Sequence, residues 1–489
     1  MSTQIAFPSS TPESQGVSSA AISAFIDGVH AQNLELHSLM LLRHGHIIAQ
    51  GWWTPYGADR VHLLYSLSKS FTSTAIGLAV AEGRLSVDDS VLSIFPEQAP
   101  AEVGEHLAAM RVHHLLSMAT GHKLDTLDRA ARSSGGSDWV KSFLAIPPDQ
   151  APGTIFCYNN GATFMLSAII QKLTGMKLLD YLRPRLLDPL GIQQAHWQEN
   201  PQGINLGFSG LHITTRAIAR LGQLYLQKGY WFGHQLLPSE WVDRASTSHI
   251  QSAQPGDGSS PDWMQGYGYQ FWRCRHNAYR GDGAFGQFCV IMPEQDAVLA
   301  ITSAVSNMQA VLDLAWEHLL PAMGSAVLLD EPDALHALQD QLANLAIAPV
   351  AGTTDSAMAA AVSDCQYQVD AASLTAWGDD KPAVEQATFH FTPAQWQVTF
   401  SGGNATHEIS GGYGQWTSGA TTFFRSESDP VMVSGAWCAP DTFTMVVRYI
   451  ETPHCLTLDA HFDGDALRLN SRWNVSFGPL ELPPLEFQR

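Results

Sequence analysis

The chain has 489 residues, more than a single hydrophobic core usually supports, so two domains are expected. Its 45% of apolar residues is enough for a globular protein and too high for a disordered one. The net charge of −20 repels phosphate backbones and anionic lipid, which disfavours nucleic-acid and membrane-surface functions.

The N-terminal region carries no pattern typical of export. Residues 1–15 lack both a basic segment and the apolar run of a secretory signal, and no stretch of the chain is apolar for the roughly 18 residues of a membrane span. The six cysteines are far apart and form no C-x-x-C pair, which is typical of reduced thiols rather than of disulfides or a zinc site. We therefore expect a soluble cytoplasmic protein.

The first two thirds of the chain mix strand and helix patterns. Two apolar runs around His44-Gly45 predict a β-hairpin, and strand-like runs recur much later at 266–274, 285–294 and 296–305. Helical periodicity covers 66–82 before Gly83, then 159–173 and 213–227. Short connections between strands favour antiparallel pairing, so we predict an α/β (α+β) fold with five strands in one sheet, covered by helices.

The last third has a different pattern. A polar-faced helix is predicted at 333–345, followed by a linker at 349–356 rich in Pro, Gly, Ser and Thr. Beyond it, alternating apolar and polar residues between turn signals are typical of an all-β sandwich or barrel. The predicted division is a first domain at 1–325, a helix and linker at 326–356, and a β-rich domain at 357–489.

One glycine-rich segment matches a nucleotide-binding pattern only superficially. Residues 281–286 have the G-x-G-x-x-G spacing of a dinucleotide fingerprint. That fingerprint needs a following helix, whose N-terminus receives the pyrophosphate, whereas residues 287–293 are strand-like and end at a proline. We expect no nicotinamide or flavin cofactor. The histidines show no spacing typical of metal ligands, so no metal is expected either.

The segment Ser66-Leu67-Ser68-Lys69 has the spacing of a nucleophile and its base. If Ser66 opens a helix, Lys69 lies one turn further on the same face, and the helix N-terminus favours an alkoxide. A lysine in an apolar pocket has a lowered pKa and can accept the serine proton. By itself the motif is weak, because an exposed helix start with a solvated lysine has the same sequence.

Two further segments offer matching chemistry. Tyr158-Asn159-Asn160 opens another predicted helix, where a tyrosine beside an ammonium group can relay protons and an asparagine amide can hold a carbonyl. Taken alone, this segment is better explained by a structural turn over a packed aromatic ring. The glycines of 281–287 would let a ligand approach the backbone of the next strand closely.

In this order and spacing, the three segments resemble the serine β-lactamase and penicillin-binding-protein superfamily, specifically its class C-like branch of esterases, D-aminopeptidases and amide hydrolases. The similarity extends to the surroundings of the motifs and covers roughly residues 10–325. It implies a five-stranded antiparallel sheet flanked by helices, with a helical subdomain inserted between Ser66 and Tyr158.

The resemblance also implies a role for each residue. Ser66 would be the acylated nucleophile and Lys69 its base. Tyr158 would share proton transfer and protonate the leaving group, and Asn160 would orient the substrate and the lysine. The backbone N–H groups of Ser66 and Ala284 would form the oxyanion hole.

The third motif departs from the family. Aligned with K-T-G, the chain has Gly281-Asp282-Gly283, so the groups that bind a β-lactam carboxylate are missing and an acid stands in their place. Asp282 is therefore expected to face the far end of the substrate and to repel anions. A turn aspartate pointing to solvent is the alternative.

The predicted function is that of a serine hydrolase which forms an acyl-enzyme with small esters, amides or D-amino-acid peptides and needs no cofactor. A β-lactamase or D-Ala-D-Ala carboxypeptidase and a non-catalytic scaffold with the same fold are the alternatives. The expected partner is the small-molecule substrate, with a homo-oligomer possible and no nucleic acid or membrane. The sequence leaves the role of the C-terminal domain open.

Overall fold

The protein is described from a computed structural model over residues 7–133, 138–253, 260–378, 381–425 and 427–489. The chain divides into two compact units. The first consists of Met1–Trp52 and Ala58–Asn344, and the second of Trp53–Gly57 and Leu345–Arg489. The second unit therefore takes five residues from deep within the N-terminal part of the sequence.

The strands of the first unit are short or of medium length. They are β1 Leu36–Arg43, β2 His46–Trp52, β3 His62–Leu63, β4 Ala195–Trp197, β5 Leu211–Ile213, β6 Tyr230–Trp231, β7 His234–Gln235, β8 Trp272–Arg273, β9 Tyr279–Gly283, β10 Gln287–Met292 and β11 Ala297–Ser303. The central antiparallel sheet has the order β2-β1-β11-β10-β9-β8. β3, β5 and β4 form a small second sheet, and β6 and β7 form a hairpin.

The predicted architecture is confirmed, with one strand more than expected. Within the described residues the central sheet has six strands rather than five, because the glycine-rich segment is itself a strand, β9. The early hairpin turns at His44-Gly45, where Gly45 has a φ of +74° that suits glycine. A strand, β10, follows the G-x-G-x-x-G segment where a dinucleotide site would need a helix.

The helices of the first unit surround this sheet. They are α1 Ser19–Ala31, α2 Ser68–Ala81, α3 Val91–Ile94, α4 Glu105–Ala109, α5 Val112–Leu116, α6 Leu127–Ser133, α7 Trp139–Leu144, α8 Asn160–Thr174, α9 Leu178–Leu182, α10 Thr215–Leu226, α11 Ser239–Ser246, α12 Met308–Leu314 and α13 Pro332–Ala343. Helices α3 to α7 lie between Ser66 and Tyr158, as the resemblance implied. Among the described residues, no helix combines the length and apolar character needed to cross a bilayer.

Helix starts follow local capping chemistry. The side chains of Asn159 and Thr214 accept hydrogen bonds from the backbone N–H groups of Ala162 and Ala217, which fixes the first turns of α8 and α10. α2 is buried along nearly its whole length, so packing rather than amphipathic patterning holds it in place. These caps and contacts place the N-termini of α2 and α8 beside one another.

Strand register defines two ends of the central sheet. At one end, Gly283 of β9 pairs with Gln287 of β10. At the other end, Met292 of β10 pairs with Ala297 of β11, which also pairs with Arg43 just before the β1–β2 turn. The N-terminus of α2 lies at the first end, and the β1–β2 turn lies at the second.

The second unit is built on one long antiparallel sheet. Its strands are β12 Gln366–Val369, β13 Gln386–Phe391, β14 Gln395–Gly402, β15 Ala405–Gly412, β16 Thr417–Thr421, β17 Asp429–Ala439, β18 Thr442–Tyr449, β19 Cys455–Asp463, β20 Ala466–Trp473 and β21 Leu485–Gln488. Two short helices, α14 Ala357–Val362 and α15 Ala371–Trp377, flank β12. The strand-rich C-terminal region predicted from alternating residues is confirmed.

This sheet curls back on itself. Its strand order is β15-β14-β13-β12-β21-β20-β19-β18-β17-β16. A parallel bridge joins Tyr413, just past β15, to Gly435 of β17, so the two edges of the sheet meet around an aromatic core. Residues Trp53–Gly57 belong here through Thr54, whose N–H donates to the Leu345 carbonyl at 3.0 Å.

Candidate active site

Ser66 lies in a tight turn directly before a helix. Tyr65–Leu67 forms a 3₁₀ turn, and α2 begins at Ser68 rather than at Ser66 as predicted. Tyr65 has a φ of +47°, a costly conformation for a residue with a side chain, and its ring packs edge-on against Phe285. The turn leaves Ser66 partly exposed, so a substrate can reach its hydroxyl.

Lys69 is buried one turn further along, with only 1% of its surface exposed. Its Nζ lies 3.1 Å from Oγ of Ser66. It donates to Oδ1 of Asn160 at 2.7 Å and to the carbonyl of Phe208 at 2.9 Å. The structure thus brings three of the predicted site residues into hydrogen-bonding distance, including one from α8.

Burial changes the protonation of this lysine. Desolvation lowers the pKa of Lys69 to about 7, although Asp125 and Asp282 oppose the shift. A neutral amine has two N–H donors and one lone pair. With the donors on Asn160 and Phe208, the lone pair remains for the hydroxyl of Ser66. Lys69 is therefore placed to accept the serine proton at neutral pH.

Asp125 is a site residue that sequence analysis missed. Its carboxylate accepts hydrogen bonds from Nδ2 and from the backbone N–H of Asn160, at 2.7 and 2.9 Å. These two bonds fix the amide so that Oδ1 points at Lys69. Asp125 acts through Asn160 and is a positioning residue. The sequence offers no local signal for it, because it lies 35 positions before its partner.

Tyr158 is the fourth predicted site residue that lies beside Ser66 and Lys69. Its ring stacks on Trp272 with the centroids 5.4 Å apart, and Nζ of Lys69 lies 4.8 Å from the ring centroid. Its hydroxyl interacts with the side chain of Ser66, which opposes the rise of its pKa. Burial and the nearby Asp282 raise the pKa of Tyr158 well above its usual range. The phenol therefore stays protonated at neutral pH, which leaves Lys69 as the group able to act as base.

The end of β9 approaches the nucleophile turn closely. A Cβ on Gly283 would collide with the carbonyl of Leu64, so only glycine allows the strand to lie against this turn. Ala284, the next residue, is partly exposed beside it. Gly281 is less constrained, because a Cβ there would meet side-chain atoms of Ser70 and Leu67 rather than backbone. A side chain at position 281 would therefore require the side chains of Ser70 and Leu67 to shift.

Asp282 is buried and paired. It is 6% exposed, and its Oδ2 accepts a hydrogen bond from Nε of Arg280 at 2.9 Å. Arg280 is fully buried, and its guanidinium lies 4.1 Å from the ring centroid of Trp263. Burial raises the pKa of Asp282, and Arg280 opposes that rise. The carboxylate therefore belongs to an internal ion pair and does not point to solvent.

Comparison with known proteins identifies the family. A family model for beta-lactamase matches residues 22–322. The chain belongs to the beta-lactamase family. This membership confirms the resemblance derived from the three motifs and the hydrolase function that it implied.

Relatives within this beta-lactamase family are hydrolases of several kinds. The chain is 24% identical over 287 residues to 6-aminohexanoate-dimer hydrolase from Paenarthrobacter ureafaciens, which covers 55% of this chain and 72% of the relative. It is 26% identical over 211 residues to esterase EstB from Burkholderia gladioli, covering 38% of this chain and 54% of the relative. The solved structure of EstCE1, a hydrolase with promiscuous acyltransferase activity, shares the fold with a TM-score of 0.51 at 15% identity, covering 61% of this chain and 99% of that one.

Proposed function

We propose that the protein is a serine hydrolase that acts through an acyl-enzyme formed on Ser66. The observation that carries this proposal is the buried amine of Lys69, whose pKa is lowered to about 7 and whose Nζ lies 3.1 Å from Oγ of Ser66. A solvated lysine would be an ammonium ion at neutral pH and could not take a proton. The same contact argues against a scaffold that merely retains the fold.

In the acylation step, Ser66 attacks the carbonyl carbon of the substrate while its proton moves to Nζ of Lys69. The carbonyl oxygen becomes an oxyanion, which the backbone N–H groups of Ser66 and Ala284 would stabilise. The C–O or C–N bond of the substrate then breaks. The leaving group takes a proton through the hydroxyl of Tyr158, and Lys69 returns to its neutral form through the same relay.

In deacylation, water replaces Ser66 as the nucleophile, and Ser66 becomes the leaving group. Water attacks the acyl carbon, its proton passes to Lys69, and Oγ of Ser66 leaves and is reprotonated. Asn160 holds the lysine in position in both steps through the 2.7 Å hydrogen bond from Nζ to its Oδ1. Asp125 keeps that amide oriented. The cycle consumes one water and releases one acid and one alcohol or amine.

The substrates that fit this site are small neutral esters, amides or D-amino-acid peptides. Two of the relatives are named for an amide dimer and for esters. The guanidinium of Arg280 is hydrogen-bonded to the carboxylate of Asp282, so it does not bind a substrate carboxylate. The site therefore lacks the group with which the family motif binds the carboxylate of an anionic β-lactam. This absence disfavours the β-lactamase and carboxypeptidase alternatives.

Covalent labelling tests the proposal. Intact-mass measurement after treatment with a fluorophosphonate should show one adduct on the wild-type protein and none on Ser66→Ala. Ser93→Ala removes an exposed hydroxyl elsewhere and should label like wild type. Turnover of p-nitrophenyl butyrate should disappear together with the label. Labelling of Ser66→Ala at the wild-type rate would refute the assignment of the nucleophile.

A further inference from the structure

The orientation of Tyr158 depends on what its ring contacts. The backbone on either side is fixed, because the N–H groups of Cys157 and Asn159 donate to the carbonyl and to Sδ of Met118, at 2.9 and 3.2 Å. The side chain can still rotate about its Cα–Cβ bond. Such a rotation would carry the hydroxyl away from Ser66, so the contacts of the ring decide whether Tyr158 can protonate a leaving group.

Trp272 packs face to face against this ring. The two ring planes differ by 18°, and the centroids are 5.4 Å apart, within the range of roughly 4.5–7 Å that aromatic pairs prefer. Trp272 is itself only 8% exposed, and Tyr267 packs edge-on against it with the centroids 4.8 Å apart. The indole is therefore a fixed surface on which the phenol ring of Tyr158 rests.

A buried ion pair lies on the same face of the sheet as Trp272. Trp272 of β8 pairs with Arg280 of β9, so their side chains share one face, and Asp282 lies two residues further on that face. Oδ2 of Asp282 lies 2.9 Å from Nε and 2.8 Å from Nη2 of Arg280. The indole of Trp272 interacts with the carboxylate of Asp282, which opposes the rise in its pKa caused by burial. The ion pair therefore contacts the ring that supports Tyr158.

Stability alone does not explain this ion pair. Both members are buried, and replacing such a pair by apolar residues is often neutral for stability, because the attraction of two buried charges barely offsets their lost hydration. The guanidinium of Arg280 is further fixed by Nη1, which donates to the carbonyl of Asp262 at 2.7 Å. Apolar residues could fill the same space, but they could not offer an acceptor to an indole N–H.

We propose that Trp272 is a positioning residue that keeps the hydroxyl of Tyr158 beside Ser66. The Arg280–Asp282 pair holds the indole in the orientation that this contact requires. The inference rests on the proposed hydrolase, in which Tyr158 protonates the leaving group. It gives the unusual third motif a role inside the protein, since Asp282 supports the indole of Trp272.

Two esters with the same acyl group separate this role from a structural one. p-Nitrophenyl butyrate releases a phenolate that needs no proton, whereas p-nitrobenzyl butyrate, one methylene longer, releases an alkoxide that must be protonated as it leaves. kcat/KM, which covers the steps up to acylation, is measured for both. Trp272→Leu should lower kcat/KM about 10²-fold for the benzyl ester and no more than about threefold for the phenyl ester. Trp272→Phe keeps a planar ring and should lose no more than about tenfold on the benzyl ester.

A double-mutant cycle shows whether Trp272 acts through Tyr158. In the Tyr158→Phe background, Trp272→Leu should change kcat/KM for the benzyl ester by less than about twofold, because the hydroxyl that it positions is already gone. Replacing the ion pair by Arg280→Met with Asp282→Leu should reproduce the selective loss on the benzyl ester. Because both esters need Lys69, their ratio does not respond to a change in the protonation of this lysine.

Trp241→Leu is the matched control. Trp241 is a tryptophan of α11 that is 3% exposed, and its ring packs against Tyr269 with the centroids 5.6 Å apart. The substitution should lower the melting temperature and change the ratio of the two esters by less than about twofold.

The proposal is wrong if Trp272→Leu affects both esters equally, if Trp272→Phe loses as much as Trp272→Leu, or if the loss persists in the Tyr158→Phe background. An unchanged ester ratio in the variant without the ion pair would also overturn it. If Trp272→Leu does not fold, Trp272→Met replaces it and must show the same selective loss. Failure of the proposed hydrolase is seen separately, as labelling and turnover that survive in Ser66→Ala.

Discussion

Replacing Asp125 with Asn should lower the pKa of Lys69 and shift the pH dependence of the reaction. Asp125 and Nζ of Lys69 are separated by two hydrogen bonds of 2.7 Å and one amide group, about 7 Å in all. At an effective dielectric constant near 20, this separation gives about 2.4 kcal/mol. Solvent screening of the partly exposed carboxylate reduces the effect to about one pKa unit.

The sign follows from which form the carboxylate stabilises. Asp125 favours the ammonium form of Lys69, so its removal favours the neutral amine, which is the form that accepts the proton of Ser66. In wild type, kcat/KM for p-nitrophenyl butyrate should rise with pH through about 7. In Asp125→Asn this rise should occur near pH 6. The plateau at higher pH should fall about tenfold, because Asn160 loses the acceptor that orients its amide.

The assay is kcat/KM measured between pH 5 and 9 at constant ionic strength. Asp128→Asn is the matched control, because this carboxylate is exposed three residues further along and bonded only to the exposed Arg132 among the described residues. Its pH profile should coincide with wild type. If the rise in Asp125→Asn stays at the wild-type pH or moves upward, Asp125 does not act on Lys69 as the geometry requires.

Three further substitutions test other parts of the site. Tyr158→Phe should reduce kcat by about 10²–10⁴-fold in a steady-state assay, because it removes the proton relay and keeps the stacked ring. Gly283→Ala should lower the free energy of unfolding by about 1–3 kcal/mol in urea titrations, since its Cβ collides with the carbonyl of Leu64. Asp282→Asn should raise the ratio of kcat/KM for an anionic over a matched neutral ester about tenfold, because Arg280 loses its counter-charge.

Each of these outcomes has a control. Gly104→Ala places a Cβ in open space and should leave the unfolding midpoint close to that of wild type. Tyr158→Phe should melt like wild type, so a large loss of melting temperature would mean that the hydroxyl is structural. An ester ratio that Asp282→Asn leaves unchanged would show that the Arg280–Asp282 pair does not set specificity.

Local chemistry explains which features could be predicted from the sequence. Ser66 and Lys69 are three positions apart, and a helical turn alone brings them together. The hairpin at His44-Gly45 and the helix that Asn159 caps also follow from short patterns. β9 was missed because its two glycines have low strand propensity. Because glycine has no Cβ, these two residues allow the strand to lie against α2 and its preceding turn.

Features that depend on the folded chain were not predictable. Asp125 is identified only by its hydrogen bonds to Asn160, which no motif encodes. Arg280 changes the expected effect of Asp282 on a substrate, because a buried ion pair repels an anion less than a lone carboxylate in a pocket does. The aromatic partner of Tyr158, Trp272, lies more than a hundred positions away. In each case, the chemistry of the residue depends on contacts with residues that are distant in the sequence or that no motif connects to it.

The placement of Trp53–Gly57 in the second unit has a consequence for synthesis. About 290 residues separate this segment from Leu345, where the rest of that unit begins. At roughly 5–20 residues per second, the ribosome takes on the order of 15–60 s to cover that interval. During this time the segment, which includes the buried Trp53, has emerged without the strands to which it belongs. Until Leu345 and the strands that follow it have been synthesised, the nascent chain therefore carries an aromatic segment without its partners in the second unit.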